Sequence, residues 1–307
     1  MIISASRRTD IPAFYSEWFI NRLREGYALI PNPRNASRLG RVELSPDNVD
    51  CIVFWTKNPL PMLDRLAQID EMGYNYYIQF TLTPYGKTVE AGLPPKSELI
   101  AAFVEMSCRI GAARSVWRYD PVFIDNERTM DWHITRFAEM CDKLRGRTER
   151  CILSFIDIYR GMHGKFRAMT RDEMLTMAQG FSKIAKQHGI SLLTCSEEID
   201  LAQYGIGRAA CIDKELIERI IGQPITAKKD ANQRAACACI ASVDIGAYDT
   251  CANGCAYCYA TSSPRTAERR LAGHDPSAPM ITGYPRGDEI ITDRTTPSQR
   301  IEQLSMF

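Results

Sequence analysis

The first 222 residues alternate short apolar runs of β type with longer amphipathic runs of helix type, which restricts the chain to a parallel α/β architecture. Strand signals lie at residues 2–6, 52–56, 74–82, 115–119, 151–156 and 190–194, and helix runs begin near Pro12, Leu60, Ser97, Asp131, Thr170 and Asp213. Gly26, Gly73, Gly111, Gly146, Gly189 and Gly222 stand where helices end, and Thr170 with Glu173 forms a capping box. No glycine-rich dinucleotide fingerprint accompanies the alternation. The expected fold is a parallel sheet with helices outside, either a full or partial parallel (β/α) barrel or an open doubly wound sheet, and periodicity does not choose between them. Two further strand signals, 27–30 and 42–44, read as a hairpin at the barrel edge.

The pattern divides the chain into three parts. Residues 1–222 are expected to form the barrel, and residues 223–260 a cysteine-rich, cluster-binding segment packed on its mouth. Residues 261–307, rich in Ser, Thr, Pro, Arg and Asp, make a polar tail that is either a docked lid or partly disordered. No apolar run approaches the roughly 18–20 residues that span a bilayer, and no secretory leader opens the chain, so a cytoplasmic location is expected. A net charge of +1 supplies no field that would gather nucleic acid.

Reactive groups in parallel α/β folds collect where strands end. Here the apolar runs finish in Ser6-Arg-Arg-Thr-Asp10, Trp55-Thr-Lys-Asn58, Trp117-Arg-Tyr-Asp120, Ser154-Phe-Ile-Asp157 and Thr194-Cys-Ser-Glu197. One rim is thus expected to carry Arg7, Arg8, Asp10, Lys57, Arg118, Asp120, Asp157 and Glu197 as candidate catalytic residues. Its cations suit a carboxylate or phosphate, and its acids suit an amine, ribose hydroxyls or a proton in transit.

Of 11 cysteines, seven (Cys195, Cys211, Cys237, Cys239, Cys251, Cys255 and Cys258) crowd the last third of the chain, a density that points to metal in a reducing compartment. Cys51, Cys108, Cys141 and Cys151 fall in strand or helix runs and read as core thiols. The terminal trio, Cys251-Ala-Asn-Gly-Cys255-Ala-Tyr-Cys258, can bind three irons of a cubane and leave the fourth without a protein ligand. Cys195, Cys211, Cys237 and Cys239 suffice for a second [4Fe–4S] cluster or for a smaller metal site. Cys237 and Cys239, two apart, face one side of an extended segment. Tyr257 and Tyr259 flank Cys258, where aromatic rings shield a cluster. His133 reads as a partly exposed core-edge residue, His274 reaches the mouth only if the tail folds back, and His163 and His188 belong to no local metal motif.

The CxxxCxxC spacing, with an aromatic before its last cysteine, resembles the cluster loop of the radical S-adenosylmethionine superfamily. More specifically, Ser4-Ala-Ser-Arg-Arg-Thr-Asp-Ile-Pro12, Phe54-Trp-Thr-Lys-Asn-Pro59, Trp117-Arg-Tyr-Asp-Pro121, Ser154-Phe-Ile-Asp157, Lys229-Asp-Ala-Asn-Gln-Arg234 and the terminal cysteines resemble an uncharacterised bacterial family with a radical-S-adenosylmethionine-like cysteine cluster at its C-terminus. The likeness implies a [4Fe–4S] cluster on Cys251, Cys255 and Cys258, with S-adenosylmethionine chelated at the open iron. It further implies reductive cleavage to a 5′-deoxyadenosyl radical, an electron donor such as flavodoxin or ferredoxin, and a small-molecule or other substrate. In that superfamily the three-cysteine loop follows the first barrel strand, whereas here the first loop has no cysteine and the trio must reach the mouth from the far end of the chain. Two other readings stay open. One is an iron–sulfur protein that only carries electrons or senses redox state; the other is a zinc-stapled nucleic-acid-binding module, for which a Cys₄ set would serve although its CxC and CxxxCxxC halves are uneven.

Overall fold

The computed structural model describes residues 1–159, 162, 164–294 and 296–301; His163 and the last six residues of the tail lie outside them. The first strand, β1 (Ile2–Ala5), leads through α1 (Ile11–Phe14) and α2 (Ser16–Glu25) into the hairpin β2 (Tyr27–Asn32) and β3 (Asn35–Glu43). The alternation continues with β4 (Cys51–Thr56), α3 (Leu60–Leu63), α4 (Leu66–Glu71), β5 (Tyr76–Thr81), α5 (Lys96–Ile110), β6 (Ser115–Val122), α6 (Met130–Leu144), β7 (Arg150–Phe155), α7 (Arg171–Gln187) and β8 (Ser191–Thr194). Beyond these come β9 (Gly207–Arg208), α8 (Lys214–Ile221), β10 (Val243–Asp244), α9 (Pro264–Ala272) and β11 (Ile290–Asp293). All six expected strands of the alternation are present.

Eight strands form one sheet in the order β10-β1-β4-β5-β6-β7-β8-β9, and every neighbouring pair is parallel. Among the described residues no ladder joins β9 to β10. The hairpin pairs antiparallel and is longer than its sequence signals, and β11 from the tail adds to β3 as a third strand.

Side chains alternate between two apolar surroundings, as the period of two along a strand requires. Ile3, Phe54, Ile78, Phe80, Trp117 and Leu153 pack against the helices α1 to α7. Their neighbours Ile2, Val53, Tyr77, Val116 and Ile152 pack instead against Ile212, Leu216, Ile217, Ile225 and Ile240. Burial on both faces explains why these strands read as near-continuous apolar runs. Helix ends follow their signals: the Thr170–Glu173 capping box forms, Asp213 caps α8, and α2 and α8 end at Gly26 and Gly222 in the left-handed region.

Two readings of single residues need correction. Cys108 is exposed, so only Cys51, Cys141 and Cys151 are core thiols. His133 is fully buried rather than at an edge, because it starts the buried stripe of α6 that continues through Phe137, Cys141 and Leu144. Its Nδ1 lies 3.0 Å from the Tyr119 hydroxyl and its Nε2 lies 2.8 Å from the Phe123 carbonyl oxygen.

The tail packs along α2 and the far end of the sheet. The Trp18 indole donates to the Ala278 carbonyl at 2.9 Å, and Asp50 accepts from the Ser298 hydroxyl and the Gln299 amide at 2.6 and 2.9 Å. Among the described residues no helix is long and apolar enough to cross a membrane.

Burial holds the His133 imidazole down at about 4 although the Phe123 carbonyl favours its charged form. Between that value and the ordinary 6.5 the unfolded chain binds a proton that the folded chain does not, so stability is full above pH 6.5 and falls as acid is added. Urea unfolding between pH 7 and 4.5 is expected to lose about 2 kcal/mol from this residue. The slope flattens in His133→Gln; an unchanged slope in that variant contradicts the assignment.

Candidate functional site

Because all eight strands are parallel, their C-terminal ends share one edge, and a cavity of about 460 Å³ opens there. Arg7, Arg8, Asp10, Lys57, Arg118, Asp120 and Asp157 line it, and so do all seven clustered cysteines. No described residue beyond Ala260 does so. His274 sits elsewhere, edge-on to Tyr15 with ring centroids 4.7 Å apart.

Glu197 is the one rim candidate outside the lining. Its Oε1 accepts from the Ser154 hydroxyl at 2.8 Å and the Phe155 amide at 2.9 Å, and burial outweighs these donors to push the carboxyl up to about 7. It braces the end of β7. Asp10 lines the cavity but is already engaged: its carboxylate accepts from the Ala13 and Lys57 amides at 3.0 and 2.7 Å and from the Asn253 side chain at 2.9 Å. It caps α1 and ties down the trio loop. Asp157 pairs with Arg234 at 2.7 Å on the exposed side.

The trio arrives through β10. This strand pairs parallel with β1, and the Ile245 amide continues the ladder to the Ser4 carbonyl at 3.1 Å. The following loop therefore emerges beside Arg7 and Asp10, at the edge where the first loop leaves the sheet. Asp244 locks the junction, accepting from the Ser4 and Ser6 hydroxyls and the Arg7 amide at 3.0, 2.6 and 2.9 Å. Further on, the loop lies against the segment after β5. The Gly92 amide donates to the Asn253 carbonyl at 2.9 Å, and the Ala256 amide donates to the Val89 carbonyl at 2.8 Å.

Charge is concentrated beneath Cys255. Glu90, 1% exposed, accepts from Lys57 at 2.8 Å, from the Thr83 hydroxyl at 2.9 Å, and from Lys96 and the Tyr257 hydroxyl. Burial alone would raise its carboxyl, but the Lys57 and Lys96 charges outweigh burial and hold it down at about 2. Lys57 also lies over the Tyr257 ring, 5.2 Å from its centroid. Burial pushes the Cys255 thiol up to about 12 against the pull of Lys57, and it pushes Cys251 up further. Metal binding here would displace protons. Glu90 and Lys96 carried no sequence signal, since neither ends a strand run nor belongs to a repeated pattern. Tyr257 was legible only as a shield beside Cys258.

The other four cysteines line the same cavity. The Sγ atoms of Cys195, Cys211 and Cys239 lie within 4.8 Å of one another, with Cys195 and Cys211 at 2.9 Å. Cys237, two residues before Cys239, lines the cavity with them. Arg118, inside the sheet, donates to the Cys211 sulfur and to the Gln79 side-chain oxygen Oε1, both at 2.9 Å, and to Asp120. Cys211 and Cys237 are both driven down, Cys211 by its hydrogen bond with Cys195 first and by the Arg118 and Arg7 charges as well, and Cys237, to about 5, by its neighbour Cys195 first.

The profile of the domain of unknown function DUF1848 matches residues 2–260, which include both cysteine sets and every rim candidate. The chain belongs to the DUF1848 family. No curated protein and no solved structure matches it. The DUF1848 match ends two residues after Cys258, at the point where the cavity lining also ends.

A Cβ on Gly92 would meet the Ala252 carbonyl oxygen at 2.5 Å, a backbone atom of the trio loop that cannot swing aside. Gly92→Ala is expected to lower the unfolding free energy by about 1–3 kcal/mol, the usual effect of overpacking. Denaturant unfolding checks it, and wild-type stability in the variant would mean that the two loops are not in contact.

Proposed function

We propose that the protein is an iron–sulfur enzyme of radical S-adenosylmethionine type, built on a partial (β/α) barrel, with its cluster on Cys251, Cys255 and Cys258. The observation that carries this reading is convergence: a CxxxCxxC loop from one end of the chain and charged strand ends from the other line one cavity of about 460 Å³. That volume lies within the roughly 300–1,000 Å³ of small-molecule sites.

The donor set fits the proposed group. Thiolates are the ordinary ligands of iron–sulfur clusters. Among the described residues Arg7 Nη2 is buried without a protein partner, so it has a hydrogen bond to offer a carboxylate. When bound, a [4Fe–4S] cluster would supply one electron to S-adenosylmethionine and so generate a 5′-deoxyadenosyl radical for hydrogen abstraction. The chain's part is to hold and to exclude. Arg7, packed over Trp55 with its guanidinium carbon 5.4 Å from the ring centroid, is preset to hold an anion. Asp120 and Asp157 would accept from an amine or ribose hydroxyls. Tyr257, 8% exposed, packs near Tyr85 and Phe123 with ring centroids 6.2 and 6.5 Å away. An external one-electron donor of the flavodoxin or ferredoxin kind would complete the cycle.

Oxygen-free reconstitution with iron and sulfide, followed by dithionite and S-adenosylmethionine, is expected to yield 5′-deoxyadenosine by chromatography. Cys255→Ala should abolish the product. A cluster-replete wild-type protein that gives none, and whose reduced electron paramagnetic resonance signal ignores S-adenosylmethionine, overturns the proposal in favour of an electron carrier or redox sensor. Stoichiometric zinc with no iron would favour the nucleic-acid module.

A further inference from the structure

We infer that Cys195, Cys211, Cys237 and Cys239 form a closed site for a single tetrahedral thiophilic metal ion of the zinc class, separate from the trio. The spacing of the sulfurs is the first argument. Four thiolates about 2.3 Å from one tetrahedral ion lie about 3.8 Å from each other. Three of the four sulfurs here lie within 4.8 Å of one another, and the fourth cysteine, Cys237, stands two residues from Cys239 and lines the same cavity. The thiolates of a cubane each sit on a different iron and so stand farther apart than ligands sharing one ion. By contrast, the trio makes no such tight group among the described residues.

Charge supplies the second argument. Four thiolates on one divalent ion make a complex of charge −2, which is costly to bury unless it is paired. Arg118 donates to the Cys211 sulfur at 2.9 Å, and the Arg7 charge acts on Cys239, Cys211 and Cys237. Two guanidinium groups thus face the sulfurs, Arg118 bridging Cys211 to Asp120. The Ile212 amide also points to the Cys239 sulfur at 3.4 Å, the kind of outer hydrogen bond that orients a thiolate ligand.

The third argument is what the ion would join. Cys195 follows β8 and Cys211 precedes α8. Cys237 and Cys239 belong to a hairpin-like turn in which Lys229 faces Ile240, and the Ala241 amide donates to the Lys228 carbonyl at 2.8 Å. This turn meets the rest of the sheet interior through the Ile240 amide, 3.2 Å from the Ile212 carbonyl. Four protein ligands leave no open coordination position, so the ion staples residues 228–241 to the edge of the sheet and performs no chemistry.

The test uses the full chain with Cys251, Cys255 and Cys258 all changed to Ala, kept reduced and oxygen-free, so that the trio reading cannot influence it. Cobalt(II) is expected to bind at about one ion per chain with the visible bands of a tetrahedral thiolate site, and zinc(II) should displace it. Zinc should also slow protease cleavage within residues 228–241 at least tenfold, and Cys237→Ser in this background should weaken cobalt binding at least tenfold. No cobalt uptake, or uptake of about four irons with sulfide into the four cysteines, overturns the inference. Should the triple variant not fold, metal analysis of the intact protein purified without oxygen decides: one zinc per chain supports the inference, with or without iron on the trio, and about eight irons without zinc refutes it.

Discussion

The mouth of the cavity depends on one buried carboxylate. Glu90 is surrounded by donors from four places in the chain: Lys57 after β4, Thr83 after β5, Lys96 at the start of α5 and Tyr257 in the trio loop. A charge removed from water must be paired and hydrogen-bonded, and an unpaired one costs several kcal/mol. Each of these four segments is therefore held where its donor can reach. The arrangement positions the backbone around Cys255, which faces Glu90 in an isolated antiparallel bridge. Lys57 is simultaneously fixed as a cation at the cavity wall.

A second constraint is topological. Parallel strands deliver their C-terminal loops to one edge, and β10, although only two residues long, pairs with β1 and returns the chain to the place where it began. Asp244 joins the ends by accepting from Ser4, Ser6 and Arg7. A cysteine loop late in the sequence thereby occupies the neighbourhood of the first loop. The order of chemical groups along the chain matters less than the strand that carries each of them.

Much of the candidate site was legible because strand-end chemistry is a property of position in a parallel fold. Arg7, Lys57, Arg118 and Asp120 could be placed on one rim from the alternation alone. The roles of Asp10 and Glu197 could not. Both end apolar runs like their neighbours, yet each spends its oxygens on backbone amides, and which amides lie within 3 Å is set by how the loops pack. Burial failed for a similar reason at two positions. His133 and Cys108 both lie in helix runs, and only the side of the helix that meets the sheet decides that one is sealed and the other open.

The sequence by itself determined the alternation of strands and helices, the capping signals at their ends and the two cysteine sets, because each is written in residues near one another along the chain. Local periodicity and local spacing are enough to express them. Tertiary structure alone decided that β10 lies beside β1, that both cysteine sets line one cavity, and that Cys195, Cys211 and Cys239 meet within 4.8 Å. Those relations join residues far apart in the chain. They are settled by long-range hydrogen bonding and by the compensation of buried charge, which no window of sequence contains.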